Sequence, residues 1–586
     1  MVSATYMKYR RRIKSLPYLS KILLLLFSFL FILWIFRTPK REISPPARRN
    51  VELDPFFEKL IAQDYERIVS KFGAFGSPAY LEDINVTSDD QKEIKARYAM
   101  NVRVSDHIPY NRSLPETRPR SCRNRKYDHD LPKASIVIVC HNEPWSTLIR
   151  TVVSILGRTD HKFIEEVILV DDASQHPDLD YNFLEKLEYF VRTRLPPFVS
   201  LIRSDTRLGV VGARLRGAHV AKGDVLVFLD AHVEANDHWL EPLLDRIKSN
   251  PHVVVQPVVD HVHWDHFEYT PFNSAHHYPI GTFTWGGSFE WLEMDVATIR
   301  GRKDESDPVA NPVMSGGMFA VGRRYFWSLG GYDPQMRGWG SENIEMSIRH
   351  WTCGGRIEIV PCSAIGHVFR VKSPIDPKTG KPVHSQEDYG FNLVRTVKVW
   401  WDDYERLLFN NRPNLKAIYY GDISGRVKLR AKLGCKSMNW YVENVLRKFD
   451  MDRDSRYSGR LKSDAGQCLT FRGRYETLHG LLLLRPCAEP LQSTQYFALS
   501  HGKELRREYV CALPQADIPA QLYHVRMRPC AESKRSPWTY DRDRSVAYVR
   551  LGRCLDARDD QVVLEPCDPK KPSQRWTFID NATLNY

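Results

Sequence analysis

Acidic residues are nearly absent from the first 49 positions of the chain, where Glu42 is the only one beside eleven lysines and arginines. These positions carry most of the formal net charge of +13, so the remaining sequence is nearly neutral. A protein that follows a nucleic-acid backbone needs a basic surface spread over its folded domain. The confinement of positive charge to one end therefore excludes nucleic acid as the expected partner and indicates a position next to a membrane.

A cleavage site for a signal peptide is also lacking. No small-x-small pattern follows the apolar run from Ile22 to Phe36, and charged residues begin at Arg37. Upstream positions extend the run to membrane-spanning length, and the basic residues before it favour a cytosolic N-terminus. We therefore predict a cytosolic tail at 1–15, a transmembrane anchor at 16–36 and a lumenal remainder, which is the topology of a single-pass type II protein.

Eleven cysteines and three N-glycosylation sequons, at Asn85, Asn111 and Asn581, agree with a lumenal location, where disulfides form and glycans are added. The odd number of cysteines leaves one thiol unpaired. We expect this thiol to be Cys140, because it lies in an apolar strand-like run where a free cysteine packs as a small hydrophobic side chain.

A chain of 586 residues with 42% hydrophobic residues is too long for one compact core, so several folded units are expected. Residues 37–95 contain a Pro-Pro pair and clustered charges and are predicted to form a stem. From Ala134 onward, short apolar strands such as SIVIVC, EVILVDD and DVLVFLD alternate with longer helical segments. This alternation is typical of a parallel, doubly wound α/β sheet.

Polar side chains follow several of these predicted strands directly. In a parallel sheet the carboxyl ends of the strands meet at one edge, where ligands bind. The sequence therefore predicts a binding site at that edge. The residues at the strand ends are His141, Asn142 and Glu143, then Asp171 and Asp172, then Asp230 and His232.

The C-terminal part of the chain contains a threefold repeat. Cys468, Cys511 and Cys554 lie 43 positions apart, and a second cysteine follows each of them. A fixed period of this length indicates three copies of one small unit. Strand-like fragments with paired cysteines predict a β-trefoil whose repeats are each held by a disulfide.

Asp230 and His232 are the first candidates for chemistry. They are two positions apart after an apolar strand, so both side chains project to the same side if the backbone stays extended. A carboxylate and an imidazole together suit a divalent cation of the Mn²⁺ type, which neutralises a leaving diphosphate. The alternative to a metal site is that Asp230 and His232 only cap the strand end and satisfy each other as a polar pair.

Two later segments add candidates. Trp339 and Glu342 stand at the start of a predicted helix, where the indole can stack on a sugar and the carboxylate can accept its hydroxyl hydrogen bonds. Core packing is the alternative for Trp339. His367 and Arg370 offer an imidazole for the metal and a guanidinium for a diphosphate.

The segments that carry these residues closely resemble the polypeptide N-acetylgalactosaminyltransferases. The resemblance covers roughly residues 95–586 and rests on motifs such as SIVIVCHNEPWSTLIRTVVSIL, ILVDDAS, FLDAHVEANDHWLEPLL, PVMSGGMFA, YDPQMRGWGSENIEMSIR and CGGRIEIVPCSAIGHVFR. It implies an α/β catalytic domain of the GT-A type, a Rossmann-like nucleotide-diphospho-sugar transferase fold, at 96–445. It also implies a ricin-type β-trefoil lectin domain at 456–586 and a place in the Golgi membrane.

The resemblance further implies an activity. The chain would transfer GalNAc from UDP-GalNAc to Ser or Thr hydroxyls of secretory proteins or glycopeptides, with Mn²⁺ as cofactor, and so initiate mucin-type O-glycosylation. The implied metal ligands are Asp230, His232 and His367, and the implied catalytic residues are Glu342 and Asp230. The substrate-binding candidates are Asp172, Arg207, Ala231, Trp339, Arg370 and His141.

Five disulfides are implied by the same resemblance, and they again leave Cys140 free. In the lectin domain only the third repeat has both the Cys-Leu-Asp and the Gln-x-Trp of a sugar-binding lobe, so Asp556 is the carbohydrate-binding candidate. The alternative is that all three repeats are structural. The implied pairs are Cys122 with Cys362, Cys353 with Cys435, Cys468 with Cys487, Cys511 with Cys530 and Cys554 with Cys567.

Family members retain the anomeric configuration. The acceptor oxygen must therefore end on the same face of the sugar from which the leaving group departs. No Asp or Glu stands out in the sequence as a covalent nucleophile. A front-face route is therefore expected, in which the metal and Arg370 stabilise UDP while a diphosphate oxygen takes the proton of the acceptor hydroxyl.

The chain departs from the family pattern at four positions. Gly212 replaces an arginine, and Thr284 replaces the aspartate of a Gly-Gly-Phe-Asp-Trp segment. Ser373 and Ile375 replace a His and a Tyr in the loop that is expected to close over UDP. These changes leave two alternatives open: a catalytically weak or silent lectin or scaffold on the same fold, and a transferase that uses another UDP-sugar.

Overall fold

The computed structural model describes residues 53–81, 95–176, 181–272, 278–292, 294, 296–446, 455–474, 479–489, 491–517, 522–530, 537–541 and 543–579. The predicted cytosolic tail and transmembrane anchor lie outside these ranges. Within them, no helix combines the length and the apolar character that crossing a membrane requires.

An α/β domain forms the first part of the described chain. Its strands are β1 (Ala134–Cys140), β2 (Ile164–Asp171), β3 (Val199–Arg203), β4 (Val225–Asp230), β5 (Val233–Ala235), β6 (Val253–His263), β7 (Tyr269–Thr270), β8 (Ile280–Phe283), β9 (Phe289–Leu292), β10 (Val309–Ala310), β11 (Phe319–Gly322) and β12 (Arg356–Phe369).

Helices lie before, between and after these strands in the chain. They are α1 (Pro55–Glu66), α2 (Val102–His107), α3 (Arg120–Arg123), α4 (Trp145–Gly157), α5 (Phe183–Arg194), α6 (Gly209–Val220), α7 (Glu241–Ser249), α8 (Val296–Gly301), α9 (Arg323–Ser328), α10 (Glu342–Thr352), α11 (Gln386–Trp400), α12 (Glu405–Asn411), α13 (Ser424–Lys432) and α14 (Met438–Asn444).

The sheet is mixed, in the order β10-β12-β6-β11-β4-β1-β2-β3. Strands β4, β1, β2 and β3 are parallel, as the alternation in the sequence predicts. Strand β11 is antiparallel to both β4 and β6, and β6 pairs in parallel with β12. The expectation of an all-parallel sheet is therefore wrong beyond β4, because a short antiparallel strand is inserted there.

Successive side chains of β1 pack on opposite faces of the sheet, which fixes the layers. Ile136 and Ile138 join the core formed with α4 and α5. Val137 lies in the core on the other face, together with apolar residues of α6. Helices on both faces of the sheet give the doubly wound arrangement and bring the carboxyl ends of β1, β2 and β4 to one edge.

Part of the segment that the sequence predicts as stem packs against the α/β domain. In α1, Ile61 is buried in the core beside α4 and α5, and Asp64 pairs with the buried Lys186 at 2.6 Å. The Tyr189 hydroxyl donates to Glu58 at 2.6 Å. These contacts make residues of the predicted stem part of the folded domain, because they cover an apolar surface that would otherwise be exposed.

The C-terminal strands form the trefoil. They are β13 (Ser455–Ser463), β14 (Cys468–Arg474), β15 (His479–Arg485), β16 (Tyr496–Ser500), β17 (Leu505–Arg507), β18 (Val510–Asp517), β19 (Leu522–Pro529), β20 (Trp538–Tyr540), β21 (Val546–Tyr548), β22 (Arg553–Arg558), β23 (Gln561–Pro566) and β24 (Trp576–Ile579). The first and last of them, β13 and β24, pair with each other and close the unit.

The repeats predicted from the cysteine spacing also have equivalent contacts. In the second repeat the Trp538 indole donates to the carbonyl of Ala512, the residue after Cys511, at 2.9 Å. In the third repeat Trp576 donates to Leu555, the residue after Cys554, also at 2.9 Å. One buried tryptophan thus ties together the strands of each of these two repeats.

The hairpin of β8 and β9 joins the two domains. The Tyr509 hydroxyl donates to the carbonyl of Phe283 at 2.5 Å and accepts from the Thr282 hydroxyl at 2.8 Å. The backbone N–H of Trp285 donates to Glu508 at 3.0 Å. These residues are buried in a hydrophobic core that continues from the α/β domain into the trefoil. The second repeat of the trefoil is therefore a structural support of this hairpin.

Replacing Tyr509 with Phe is expected to lower the free energy of unfolding by about 1–3 kcal/mol, because it leaves buried polar groups of the hairpin without a partner. Chemical denaturation measures this change. Tyr419→Phe is the control, since this side chain is 77% exposed. Equal stability of the two variants would contradict a structural role for the junction.

Candidate active site

Asp230, His232 and His367 converge at the predicted edge of the sheet. Asp230 ends β4, and the pairing of β5 with β12 places His367 opposite Val233. One ligand atom of each of the three residues lies within 4.8 Å of the others. The His367 Nε2 is 3.5 Å from the Asp230 Oδ2. Two distant parts of the chain thus form one cluster of metal-ligating side chains.

The Glu143 carboxylate contacts both His232 and Arg370 and orients their side chains. One carboxylate oxygen contacts the His232 Nδ1 at 3.0 Å and accepts from Arg370 at 2.5 Å. Burial opposes ionisation of this carboxyl, but the charges of Arg370 and His232 prevail and lower the pKa of Glu143 to about 2. The carboxylate leaves the Nε2 of His232 available, which is the usual arrangement behind a metal-ligating histidine.

Asp230 is held from the side opposite His367. Its Oδ1 accepts from Arg214 at 3.0 Å, and Arg214 also contacts the Tyr332 hydroxyl at 3.3 Å. Burial opposes ionisation here too, yet the hydrogen bond with His367 and the Arg214 charge lower the pKa of Asp230. A Cβ at Gly317 would lie 2.5 Å from the carboxylate, so only glycine leaves room for it.

The donor set suits a divalent metal. Burial lowers the pKa of His367, so its imidazole is neutral, which is the form that binds metals. The Nδ1 of His367 is buried, and no described residue hydrogen-bonds to it. A carboxylate with two imidazoles is a ligand set for Mn²⁺ and similar ions. The residues present therefore fit the expected Mn²⁺.

Trp339 and Glu342 stand at the start of α10, as predicted. The turn before the helix needs left-handed backbone, with φ of 112° at Gly340 and 64° at Ser341. The Gly340 N–H donates to the Glu342 carboxylate at 2.9 Å, and burial raises the pKa of Glu342. Trp339 is 42% exposed, so the core-packing alternative for its side chain is wrong.

The other predicted substrate contacts differ in exposure. Asp172 is fully buried, and its oxygens accept from the backbone N–H groups of Leu208 and Gly209 and from Arg207. The Ala231 side chain lies in the core. A direct contact of Asp172 with the nucleotide stays a prediction, and Ala231 can reach a ligand only through its backbone.

His141 completes the group of predicted substrate contacts. Its Nδ1 contacts the carbonyl of Asp172 at 2.7 Å, and burial lowers its pKa. Arg207, held by the Asp172 carboxylate, is partly exposed and also lowers the pKa of His141. These residues place a guanidinium and a neutral imidazole beside the same strand ends.

The positions that depart from the family pattern have different surroundings. A side chain at position 212 would clash with Leu208, because a Cβ atom built on Gly212 would lie 2.8 Å from the Leu208 Cβ. Thr284 is buried in the β8–β9 hairpin, where its hydroxyl accepts from the Ser288 N–H at 3.3 Å. Ser373 and Ile375 belong to a loop that reaches Trp339.

Five disulfides connect ten of the cysteines, and Cys140 is free and buried. Burial raises the pKa of Cys140, which keeps its thiol protonated. The pairs are those that the family resemblance implies: Cys122–Cys362, Cys353–Cys435, Cys468–Cys487, Cys511–Cys530 and Cys554–Cys567.

Asp556 of the third trefoil repeat is only 1% exposed. Its Oδ2 accepts from the Gln574 side chain at 2.8 Å and pairs with Lys571. A carbohydrate hydroxyl would have to displace Lys571 to reach this oxygen. Carbohydrate binding by Asp556 therefore stays a prediction.

Glu143 and Arg214 have roles in the site that sequence reasoning did not assign. Glu143 follows β1 among the polar strand-end residues, which is the signal that pointed to this edge. Arg214 lies inside α6, where the only signal was the missing arginine two positions earlier. His384, which stacks on Trp339, gave no sequence signal, because the loop that carries it departs from the family pattern.

Family models match most of the described chain. The model for glycosyl transferase family 2 matches residues 135–330, and that for the N-terminal domain of galactosyltransferase matches 308–374. The ricin-type β-trefoil lectin model matches 457–576. These matches confirm the predicted GT-A catalytic domain and the lectin trefoil.

Curated relatives match over nearly the whole length. Polypeptide N-acetylgalactosaminyltransferase 3 of Taeniopygia guttata is 35% identical over 574 residues, which are 93% of this chain and 87% of the relative. Polypeptide N-acetylgalactosaminyltransferase 6 of Homo sapiens is 35% identical over 544 residues, with 90% and 84% covered. Probable N-acetylgalactosaminyltransferase 9 of Caenorhabditis elegans is 35% identical over 523 residues, with 87% of each chain covered.

A solved structure agrees with these relatives. The crystal structure of GalNAc-T7 with UDP, GalNAc and Mn²⁺ matches with a TM-score of 0.66 and 30% identity, over 87% of this chain and 93% of that chain. The similarity therefore extends through both domains. The chain belongs to the polypeptide N-acetylgalactosaminyltransferase family.

Proposed function

We propose that this chain is a retaining glycosyltransferase that transfers GalNAc from UDP-GalNAc to Ser or Thr hydroxyls of proteins or glycopeptides, with Mn²⁺ as cofactor, and so initiates O-glycosylation. The observation that carries this proposal is the convergence of Asp230, His232 and His367 in a member of this family. The relatives' names and the GalNAc-T7 complex with UDP, GalNAc and Mn²⁺ support it.

Asp230, His232 and His367 are the proposed ligands of Mn²⁺, which when bound supplies positive charge to the diphosphate. Glu143 fixes the imidazole of His232 and the guanidinium of Arg370 with one carboxylate. Arg370 is thereby placed to donate to a diphosphate oxygen and to stabilise the charge that develops on departing UDP.

The sugar is proposed to lie between Trp339 and Glu342. The exposed indole offers a stacking face, and the Glu342 carboxylate can accept hydrogen bonds from sugar hydroxyls. Arg207 and His141 line the nucleotide side, with Asp172 holding Arg207 and Ala231 contributing backbone. The roles of His141, Asp172 and Ala231 follow from their positions directly after strands, and those of Trp339 and Glu342 from their positions at the start of α10.

The acceptor oxygen is proposed to attack the anomeric carbon on the face from which UDP leaves. The carbon–oxygen bond to UDP breaks as the new bond forms, and the hydroxyl proton passes to the departing diphosphate oxygen. Configuration is retained without a covalent enzyme intermediate. The residues' task is to hold donor and acceptor in this geometry.

Metal removal tests the proposed function. The purified full chain is incubated with UDP-GalNAc and a Ser/Thr-rich peptide, with Mn²⁺ or with a chelator. We expect transfer that is lost on chelation and restored by added Mn²⁺. Donor binding without transfer would indicate a silent scaffold, and turnover only with another UDP-sugar would change the proposed substrate; either result contradicts the proposal.

We further propose a single-pass type II topology in the Golgi membrane, with a tail at 1–15, an anchor at 16–36 and a lumenal stem, catalytic domain (96–445) and trefoil (456–586). The apolar run, the basic residues before it and the five disulfides support this arrangement. Protease treatment of intact Golgi vesicles checks it: the lumenal domains should be protected until detergent is added, and digestion without detergent would contradict it.

A further inference from the structure

The loop after β12 forms a hairpin that contains Ser373 and Ile375, two of the residues that depart from the family pattern. Ile375 bridges to Pro382, and the Val383 N–H donates to the carbonyl of Pro374 at 2.8 Å. At the turn, the Asp376 carboxylate accepts from the Thr379 N–H at 2.8 Å. An aspartate that accepts from backbone N–H groups two or three positions on stabilises such a turn.

This hairpin is attached to the body of the catalytic domain. The Ile375 N–H lies 3.3 Å from the carbonyl of Ala96 and 3.2 Å from that of Arg97. Ile375 therefore anchors the loop, although it does not supply the aromatic side chain that the family has at this position.

The hairpin ends at His384, which lies against Trp339. Their ring centroids are 4.8 Å apart with an angle of 16° between the planes, which is a stacked arrangement. The backbone N–H of His384 donates to the Ser373 hydroxyl at 3.0 Å. Ser373, which stands where the family has a histidine, thus positions an imidazole that comes from the other arm of the hairpin.

His384 faces the charged groups of the site. Burial and the charges of Arg370 and Arg207 lower its pKa to about 4, while Asp230 acts in the opposite direction. The imidazole is therefore neutral at neutral pH. A neutral ring adds no positive charge beside the two arginines, so the stack on Trp339 and the guanidinium groups are compatible.

We propose that His384 is a positioning residue for the sugar-nucleotide donor, which acts by holding the indole of Trp339 over the cleft. This inference rests on the proposed function, because it assigns Trp339 to the donor. A half-exposed tryptophan that is fixed before binding loses less rotamer freedom when the donor arrives. The hairpin thereby compensates for the aromatic and imidazole side chains that are missing at Ser373 and Ile375.

Three substitutions at one position test the proposal in the full chain with Mn²⁺. His384→Ala should raise the KM for UDP-GalNAc and its Kd about five- to tenfold, since an aromatic pair contributes on this scale, with kcat nearly unchanged. His384→Phe keeps a stacking ring and should restore both constants. His384→Gln keeps a hydrogen-bonding group without a ring and should behave like His384→Ala.

The measurements are steady-state kinetics with an acceptor peptide and calorimetry with UDP-GalNAc alone. His219→Ala is the matched control, because His219 also packs on a tryptophan, Trp327, with ring centroids 4.5 Å apart, but lies outside the cluster. The KM and Kd of this variant should equal those of the unmodified chain. Unchanged KM and Kd in His384→Ala, or rescue by Gln rather than Phe, would overturn the proposal. The calorimetry measures donor binding in the absence of transfer. It therefore tests the role of His384 separately from the proposed transferase activity.

Discussion

Asp230→Asn is expected to reduce kcat about 10³-fold, which corresponds to about 4 kcal/mol of lost transition-state stabilisation. The amide removes the only negative ligand of the proposed Mn²⁺ site, so charge on departing UDP is no longer neutralised. The amide oxygen can still accept from Arg214, which contacts the Asp230 Oδ1 at 3.0 Å, so the fold should persist. Initial rates at saturating Mn²⁺, UDP-GalNAc and peptide measure the loss.

Asp237→Asn is the control for this experiment. Its side chain is 75% exposed and lies outside the cluster, so turnover should stay at the level of the unmodified chain. Circular dichroism and chemical denaturation of both variants separate a lost ligand from lost folding. Near-normal turnover of a folded Asp230→Asn protein would contradict the role of this carboxylate.

Glu143→Gln is expected to raise the Mn²⁺ concentration for half-maximal activity about 10- to 100-fold, the usual effect of losing a carboxylate behind a metal ligand. The neutral amide cannot neutralise the positive charge of Arg370. It is also a weaker acceptor than the carboxylate for the hydrogen bonds from Arg370 and His232. Arg370 is then free to turn from the diphosphate. A Mn²⁺ titration of kcat/KM measures the effect.

A matched pair elsewhere in the chain controls for the chemistry of the substitution. Glu241 contacts the His238 Nδ1 at 3.1 Å, away from the cluster, so Glu241→Gln removes a similar contact without touching the site. Its Mn²⁺ dependence should be unchanged. Equal Mn²⁺ dependence in both variants would show that Glu143 does not orient the metal ligands.

The parts of the fold with a regular pattern could be predicted from the sequence. Strands β1 to β4 and helices α4 to α6 follow from the alternation of short apolar runs and helical segments. The trefoil follows from the spacing of Cys468, Cys511 and Cys554. Because parallel strands place their carboxyl ends at one edge, Asp230 and His232 could be assigned to a site before the structure was known.

Other features depend on contacts between distant segments, which no local pattern encodes. The antiparallel insertion of β11 is set by its pairing with β4 and β6. The docking of α1 depends on a buried pair between Asp64 and Lys186, residues that are far apart in the sequence. Glu143 was visible as a strand-end residue, but its joint contact with His232 and Arg370 was not.

The departures from the family pattern also acquire physical roles in the structure. Thr284 takes part in a hairpin that the trefoil supports through Tyr509. Ser373 and Ile375 build the loop that presents His384 to Trp339. Asp230, His232 and His367 converge with these residues in place.

The central claim is that one Mn²⁺ is held jointly by Asp230, His232 and His367. The most direct measurement is an anomalous difference map at the manganese absorption edge, from crystals of the protein grown with Mn²⁺ and UDP. We predict one strong peak in contact with the carboxylate and both imidazoles. A peak elsewhere, or no peak at this cluster with saturating Mn²⁺, would contradict the account.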